Sequence, residues 1–284
     1  MWVEAMVKLG FHVSISGAID RAVDRAVELG CDTFQIFTRS PRAWGFKTLN
    51  RAEVEAFREK LRRAGIGPVF VHMPYILNLA TPNDEVYRRS VDSLEAEMER
   101  CAALEAPFLV THLGSHLGAG AEFGVARVVK AIDAVLSRSG GSTVVLLENS
   151  SGAGNRLGSS FEEMGHILQG VTEEDRVAVC FDTCHAFTSG YELGHSEGIA
   201  ETLEALDRAV GLERLELVHL NDSVGGLGSG IDHHEHIGLG MIGEEGFRVI
   251  LRSRLSELPM IMETPVDGRR GDSENMDKVR ELLA

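Results

Sequence analysis

The sequence has few cysteines, few aromatic residues and no long apolar run. Its 284 residues include four cysteines that form no CxxC pair, so we expect no disulfide framework and a reducing, cytoplasmic setting. No apolar segment approaches the roughly 18 residues of a membrane span. The first residues lack the pattern of a secretory signal, and residues 1–6 are a candidate N-terminal extension. We therefore expect no membrane partner.

Positive charge is also scarce. The chain has 28 Lys and Arg residues against 43 Asp and Glu residues, which gives a formal net charge of −15. Because phosphate binding requires Lys and Arg, this composition alone argues against a nucleic-acid partner. The argument concerns the whole surface, however, and a local site can carry the opposite sign.

Eight short apolar runs alternate with amphipathic helical patterns along the chain. The runs are VKLGFHVS, TFQIFTRS, GPVFVHMP, APFLVTHLG, STVVLLENS, RVAVCFDTCH, RLELVHLND and LPMIMETP. Strands that alternate with helices predict βα units and a parallel sheet. Eight units in a chain of this length favour the α/β class and a single (β/α)8 TIM barrel over residues 1–284. A doubly wound open sheet is the alternative.

Polar residues recur where these runs end. The ends carry His12, His72, His112, Glu148, Asp182, His219 and Glu263, and only the second run departs, since it ends in Thr38 and Arg39. In a TIM barrel the C-terminal ends of the strands meet at one mouth. Side chains alternate along a strand, so the residues two positions before the six ends from His72 to Glu263 should line the layer beneath that mouth. They are all apolar: Phe70, Val110, Leu146, Cys180, Leu217 and Ile261.

Such a mouth predicts metal binding, because buried charges must be paired or bind a metal. Mixed His, Asp and Glu ligands suit zinc, and also manganese or iron. The alternative is a set of isolated polar residues that cap strands. A glycine-rich loop after the seventh run leads to Asp232, His233, His234 and His236. Asp232 and His234 are two apart and share a face if extended, although the loop could also be solvated and flexible.

The segment VCFDTCHAF, residues 179–187, indicates more than one ion. Asp182 and His185 are three residues apart, so on an extended chain they face opposite sides and should bind different ions. Cys180 should pack beneath Asp182. By the same alternation, Cys184 also faces the barrel interior. We expect its side chain to pack there, and a role as a metal ligand stays open.

These motifs resemble those of the endonuclease IV family of apurinic/apyrimidinic endonucleases. The resemblance covers almost the whole chain and is carried by GFHVS, VHMPYILNLA, THLGSHL, LLENSSGAGNRLG, CFDTCHAFTSGYEL, HLNDS, GSGIDHHEHIGLGMIG and METP. It implies a barrel with three zinc ions, with Mn²⁺ or Fe²⁺ as alternatives at some sites. The implied ligand sets are His72, His112 and Glu148; Glu148, Asp182, His219 and Glu263; and His185, Asp232 and His234.

The resemblance also implies a reaction and a partner. The reaction is hydrolysis of the phosphodiester 5′ to an abasic site in double-stranded DNA, with Glu148 as a catalytic residue and a monomeric enzyme. Arg42 is implied to enter the base stack and Tyr75 to pack at the opened site. A surface cation–π pair between Arg42 and Trp44 is the alternative. Other basic residues contact either phosphate or only solvent: Lys130, Arg138, Arg156, Arg269 and Arg270.

The main rival is a metal-dependent sugar isomerase or epimerase with the same barrel. Four strand-end residues would satisfy that chemistry: Glu148, Asp182, His219 and Glu263. The rival gives no role to the remaining candidate ligands. Histidines outside the three sets should contact ligands (His12, His116, His236) or lie at the surface (His166, His195). Ala43, Met73 and Leu239 depart from the residues usual in the family, which bears on DNA contacts rather than on the metal ligands.

Overall fold

The structure is a computed structural model that describes residues 7–45 and 47–284. Eight parallel strands form a closed barrel, in which each strand pairs with the next barrel strand along the chain and the last pairs with the first. This closure confirms the TIM barrel and rules out the open sheet. The candidate extension at residues 1–6 lies outside the described residues. Within the described part of the chain, no helix combines the length and apolarity that a bilayer crossing requires.

The barrel strands correspond to the eight apolar runs. They are β1 Leu9–His12, β2 Thr33–Ile36, β3 Val69–His72, β4 Phe108–His112, β5 Val144–Glu148, β6 Val177–Asp182, β7 Leu215–His219 and β10 Met260–Met262. A short antiparallel pair, β8 Asp222–Ser223 and β9 His234–Glu235, follows β7. The second strand ends earlier than predicted, at Ile36, so Thr38 and Arg39 lie beyond it.

Helices follow most of the strands and surround the barrel. They are α1 Arg21–Glu28, α2 Arg51–Ala64, α3 Asp84–Leu104, α4 Ala121–Leu136, α5 Phe161–Gly170, α6 Thr183–Ser189, α7 Ser196–Ala209, α8 Gly243–Ile250 and α9 Asp272–Leu283. Short 3-10 helices lie at Glu174–Arg176, Leu212–Arg214 and Arg254–Glu257. Helix α2 ends at Ala64, because Gly65 adopts the left-handed conformation at φ 65° that favours glycine.

Two apolar clusters support this architecture. The larger packs the outer faces of the strands against the helices, as in other α/β barrels. The smaller fills the barrel interior and contains every residue predicted for the layer beneath the mouth, together with Ala178: Phe70, Val110, Leu146, Cys180, Leu217 and Ile261. The alternation along the strands is therefore confirmed, and the polar strand ends lie directly above a layer of buried apolar side chains.

Candidate metal centre

The polar residues at the strand ends meet at the C-terminal mouth of the barrel. With residues from two loops they form groups whose ligand atoms all lie within 4.8 Å of one another. Three of these groups are His72, His112 and Glu148; Glu148, Asp182, His219 and Glu263; and His185, Asp232 and His234. They contain the same residues as the three sets that the family resemblance implies.

Glu148 lies between the first two groups. Its Oε2 atom is 3.1 Å from His72 Nε2 and 3.3 Å from His112 Nδ1. Its Oε1 atom is 3.1 Å from His219 Nδ1 and 3.4 Å from His185 Nδ1. One carboxylate thus presents one oxygen to each group, which is the arrangement that a bridging ligand requires.

The third group depends on a turn that the sequence did not reveal. Asp182 ends β6 and caps α6, because its Oδ1 accepts a 2.8 Å hydrogen bond from the His185 backbone N–H. The premise of an extended chain from Asp182 to His185 is therefore wrong. The two side chains nevertheless contribute to different groups, since His185 Nε2 faces Asp232 Oδ1 at 3.0 Å.

Several histidines present one nitrogen to the mouth because the other is held by a backbone carbonyl. His72 Nδ1 lies 2.7 Å from the Met73 carbonyl, and His185 Nδ1 lies 3.0 Å from that of Asn149. His234 Nδ1 is likewise 3.1 Å from the Glu263 carbonyl, while its Nε2 atom is buried without a hydrogen-bond partner. Nitrogens oriented in this way are typical of metal ligands.

The mouth has the electrostatics of a cation site. Burial lowers the pKa of His112 to about 4, against the attraction of Glu148. Burial would raise the pKa of Glu148, but the imidazoles of His112 and His219 hold it well below its usual range. Burial likewise opposes a charged His185, yet the carboxylate of Asp182 and its neighbours raise that pKa well above its ordinary value. Ionised carboxylates therefore accumulate here and attract cations.

Cys184 forms a further group with Asp182 and His234, with ligand atoms within the same 4.8 Å. Burial raises the pKa of this thiol to about 12, so the thiol is neutral near pH 7. Its Sγ atom is 3.8 Å from the carbonyl oxygen of His233. Cys180 lies in the barrel floor, as predicted. All four cysteines are free and buried, in agreement with the absence of a disulfide framework.

The remaining histidines divide only in part as predicted, because His12 contacts a candidate ligand and His166 and His195 lie at the surface, whereas the hydrogen bonds of His116 and His236 go to other residues. His12 Nδ1 lies 3.2 Å from Glu263 Oε1. His236 Nε2 is 3.2 Å from Asp267 Oδ1 and so braces the loop that follows β10. His116 and His195 accept hydrogen bonds from the Gly120 and Gly198 backbone N–H groups near the starts of α4 and α7. The side chains of His166 and His195 are exposed.

The segment HIGLGMIG forms a loop around one buried carboxylate. Asp222 Oδ2 accepts hydrogen bonds of 2.9 Å from the backbone N–H groups of Gly238 and Gly240, and Oδ1 accepts one of 3.0 Å from Ile242. A Cβ atom at Gly240 would lie 2.4 Å from the Ser223 carbonyl oxygen, so only glycine fits there. The glycines of this motif thus allow the backbone to approach Asp222, which anchors the loop beside β9 and His234.

The DNA-contact candidates lie at or near the mouth. Tyr75 is 56% exposed, and its ring is 6.0 Å from His72 and 6.3 Å from His112 between centroids. Arg42 is exposed in the segment between β2 and α2. The Trp44 ring is covered by Arg89, whose guanidinium carbon lies 4.2 Å from the ring centroid. The cation–π partner of Trp44 is therefore Arg89 rather than Arg42.

A cavity of about 400 Å³ opens at the mouth and is lined by Tyr75, Arg156 and six of the candidate ligands: His112, Glu148, His185, Asp232, His234 and Glu263. Among the described residues that line it, Arg156 is the one Arg or Lys, and it pairs with Asp232 Oδ2. The SGAGNRLG segment carries Arg156 to this position through an isolated bridge between Ser115 and Arg156.

The other basic candidates lie elsewhere. Arg138 pairs with Glu95 at 3.1 Å, and Arg269 pairs with Glu235 at 2.7 Å. Arg270 donates to the Ile237 carbonyl. Lys130 lines a separate groove between α4 and α5.

Sequence reasoning missed three amides that support the mouth. Asn149 donates to the Asp182 carbonyl, and Asn221 donates to Asp182 Oδ2 at 2.8 Å. Gln35, in β2, contacts both His219 and Glu263. A polar residue inside the otherwise apolar run TFQIF was the available signal for Gln35. For the asparagines, the available signal was their position, because Asn149 directly follows the predicted ligand Glu148 and Asn221 lies two residues after His219.

Comparison with known proteins agrees with this geometry. The xylose isomerase-like TIM barrel family matches residues 23–284. A curated relative from Methanoculleus marisnigri, named probable endonuclease 4, is 53% identical over 98% of this chain and 99% of its own length. The crystal structure of endonuclease IV from Thermus thermophilus matches with a TM-score of 0.85 and 41% identity, over 97% of this chain and 98% of that one.

A more distant solved structure, a D-tagatose 3-epimerase-like protein, has a TM-score of 0.73 at 20% identity over 96% of this chain and 97% of its own. At that identity the likeness concerns the barrel fold alone. The two endonuclease relatives, by contrast, match nearly their full length at more than 40% identity. The chain therefore belongs to the endonuclease IV family, within the xylose isomerase-like TIM barrels.

Proposed function

We propose that this protein is a DNA repair endonuclease that hydrolyses the phosphodiester 5′ to abasic sites in double-stranded DNA. The products are a 3′-hydroxyl and a 5′-deoxyribose phosphate. The observation that carries the proposal is the convergence of three ligand groups at one open mouth, two of which share Glu148. The relatives named as endonucleases support the same activity.

The residues at the mouth fit three metal ions, for which Zn²⁺ is the proposed identity and Mn²⁺ or Fe²⁺ would suit the same donors. His72, His112 and Glu148 would hold the first ion. Glu148, Asp182, His219 and Glu263 would hold the second, and His185, Asp232 and His234 the third. The Nε2 atom of His234 supports this assignment, because it is buried without a hydrogen bond and lies 3.6 Å from Asp182 Oδ2, and a buried polar atom requires a partner.

When bound, the ions supply Lewis acidity that neutralises phosphate oxygens and activates water near neutral pH. Glu148 is the proposed catalytic residue of the chain. Its carboxylate is buried and ionised between the first two groups, so it can orient the attacking water toward the phosphorus. The apolar layer beneath excludes bulk water from the floor of the site.

DNA recognition is assigned to side chains around the mouth. Arg42 would enter the base stack, and the exposed Tyr75 ring would pack at the opened abasic site. An abasic nucleotide has no base to unstack, so its extrusion costs little. Arg156 would contribute a permanent positive charge beside the scissile phosphate. The enzyme is expected to act as a cytoplasmic monomer.

A sugar isomerase or epimerase is the rival, and the second group alone would serve its chemistry. That activity gives no role to the first and third groups, which are as well assembled as the second. Elemental analysis of the purified protein separates the two activities. About three metal ions per chain support the endonuclease, whereas one ion supports the isomerase.

The direct test is incubation of the zinc-loaded protein with a duplex oligonucleotide that carries one abasic site. We expect a single nick, a 3′ end that a DNA polymerase extends and a 5′ end that retains the deoxyribose phosphate. The undamaged duplex and the Glu148→Gln variant are the controls, and both should remain uncut. Failure of the metal-loaded protein to nick the abasic duplex would refute the proposal.

A further inference from the structure

Gln35 is a fully buried amide that makes three hydrogen-bond contacts with residues of the metal-binding mouth. Its Nε2 atom lies 2.8 Å from Glu263 Oε1 and 2.9 Å from His12 Nδ1, and its Oε1 atom lies 2.9 Å from His219 Nε2. Gln35 is 0% exposed. We infer that Gln35 is a positioning residue that selects which ring nitrogen of His219 faces the metal centre. This inference rests on the proposed metal-dependent function.

The orientation of the amide follows from the chemistry of its neighbours. A carboxylate only accepts hydrogen bonds, so the NH₂ group of Gln35 must face Glu263. The amide oxygen then faces His219 Nε2, and an oxygen only accepts. His219 must therefore carry a proton on Nε2, which donates to Gln35. In the neutral imidazole this arrangement leaves the lone pair on Nδ1.

The Nδ1 atom of His219 points into the second ligand group. It lies 3.1 Å from Glu148 Oε1, 3.6 Å from Glu263 Oε2 and 3.8 Å from Asp182 Oδ2. A nitrogen lone pair that faces several carboxylates is stabilised when a cation binds between them. Gln35 also holds Glu263 through Oε1, which leaves Oε2 on the side of His219.

His219 differs in this respect from three other histidines of the mouth, although His112 also turns Nδ1 toward Glu148. His72, His185 and His234 have Nδ1 beside a backbone carbonyl and therefore direct Nε2 inward. A backbone carbonyl is present whatever the side chain at that position, whereas the partner of His219 Nε2 is the side chain of Gln35. The orientation of His219 is thus encoded by a single residue of β2, a strand that supplies no candidate ligand itself.

The first experiment uses the unaltered protein, labelled with ¹⁵N-histidine and loaded with ¹¹³Cd. We expect ¹¹³Cd–¹⁵N coupling at Nδ1 of His219 and at Nε2 of His72. Assignment would come from the loss of the corresponding signal in His219→Ala and His72→Ala. Coupling at Nε2 of His219 would overturn the role of Gln35. Failure to bind any cadmium or zinc would overturn both this inference and the metal-dependent function.

The second experiment replaces the amide with an apolar side chain of similar size. In Gln35→Met, we expect the weakest of the zinc affinities to fall about 10- to 100-fold, the range typical of lost ligand support. Affinity would be measured by competition of the metal-free protein with a chromophoric chelator. The chain's other glutamine, the exposed Gln169, provides the matched control Gln169→Met, which should bind zinc as the unaltered protein does.

A merely structural role would give a different result. It would lower the melting temperature of metal-free Gln35→Met while leaving all zinc affinities unchanged, and that outcome would refute the inference. Gln35→Glu keeps an acceptor for His219 Nε2 but loses the donor to Glu263. We expect it to retain Nδ1 coupling of His219 to ¹¹³Cd, and transfer of that coupling to Nε2 would contradict the inference.

Discussion

At the residue scale, several candidate ligands are oriented by a second contact besides those with the other ligands. His72 and His185 use backbone carbonyls, Asp182 caps a helix and His219 uses Gln35. Fixed side chains lose little entropy when they bind an ion, so this support favours tight binding. The ligand types were predictable because they end apolar runs. The contacts that orient these ligands were not predictable, because they form between residues that are distant in the sequence.

Arg42 provides a prediction at this scale. The change Arg42→Ala should weaken binding to an abasic duplex about tenfold, which corresponds to roughly 1.4 kcal/mol, because the guanidinium that we propose to enter the base stack is lost. Binding would be measured by fluorescence anisotropy, with metal content determined in parallel. Arg138→Ala, which removes an ion pair with Glu95 on the outer helices, is the control and should bind normally. Loss of metal in Arg42→Ala would show that its role lies elsewhere.

The cysteines provide a second prediction. Burial raises the pKa of Cys31 to about 11 and that of Cys180 to about 12, and it raises the pKa of Cys101 well above its usual value. Because the thiolate is the reactive form, we expect iodoacetamide at pH 8 to modify no cysteine of the folded protein. All four should react after denaturation. Rapid labelling of Cys184 in the native state would contradict its burial.

At the element scale, the segment between β2 and α2 is held by a buried network on α3. Glu97 Oε1 accepts from Arg39 Nε at 2.6 Å, and Glu97 Oε2 accepts from Thr38 Oγ1 at 2.6 Å. Arg39 and Arg100 in turn donate to the carbonyls of Trp44 and Lys47. The network fixes both ends of the stretch that carries Arg42. Strand reasoning predicted Thr38 and Arg39 as strand-end residues, but they are anchors of this loop.

Glu97→Gln tests this network. The substitution leaves the buried arginines without their carboxylate, so the free energy of unfolding should fall by about 3–5 kcal/mol. Denaturant titration measures the change. The matched control is Glu95→Gln on the same helix, because its partly exposed ion pair with Arg138 should contribute at most about 1 kcal/mol. Equal effects of the two substitutions would mean that the buried network adds no stability.

The same scale shows where pattern-based prediction succeeded and failed. Strand alternation identified the barrel floor because a two-residue period is a property of the strand itself. It failed between Asp182 and His185, since α6 begins at Thr183 and replaces the strand geometry there. Gln35 was missed for a related reason, because its significance depends on its neighbours β1, β7 and β10 rather than on β2.

At the scale of the whole molecule, the proposed ions would partly reconcile the acidity of the chain with DNA binding. Three divalent cations would change the formal charge from −15 to −9 and concentrate the positive charge at the mouth. The barrel topology was predictable because eight repeated units leave few arrangements. The local charge at the mouth was not predictable, because the net charge of a sequence does not reveal which charged groups the fold brings together.

Metal removal should also destabilise the whole barrel. The candidate ligands extend from His72 to Glu263 and come from six of its eight strand ends and the loops between them, so bound ions close long segments of chain. An ion present at about 1,000 times its dissociation constant adds about 4 kcal/mol to the folded state. We therefore expect the melting temperature to fall on the order of 10 °C after chelation, and to recover when zinc is restored. Calorimetry measures both steps, and an unchanged melting temperature after verified zinc loss would show that the mouth is held by protein contacts alone.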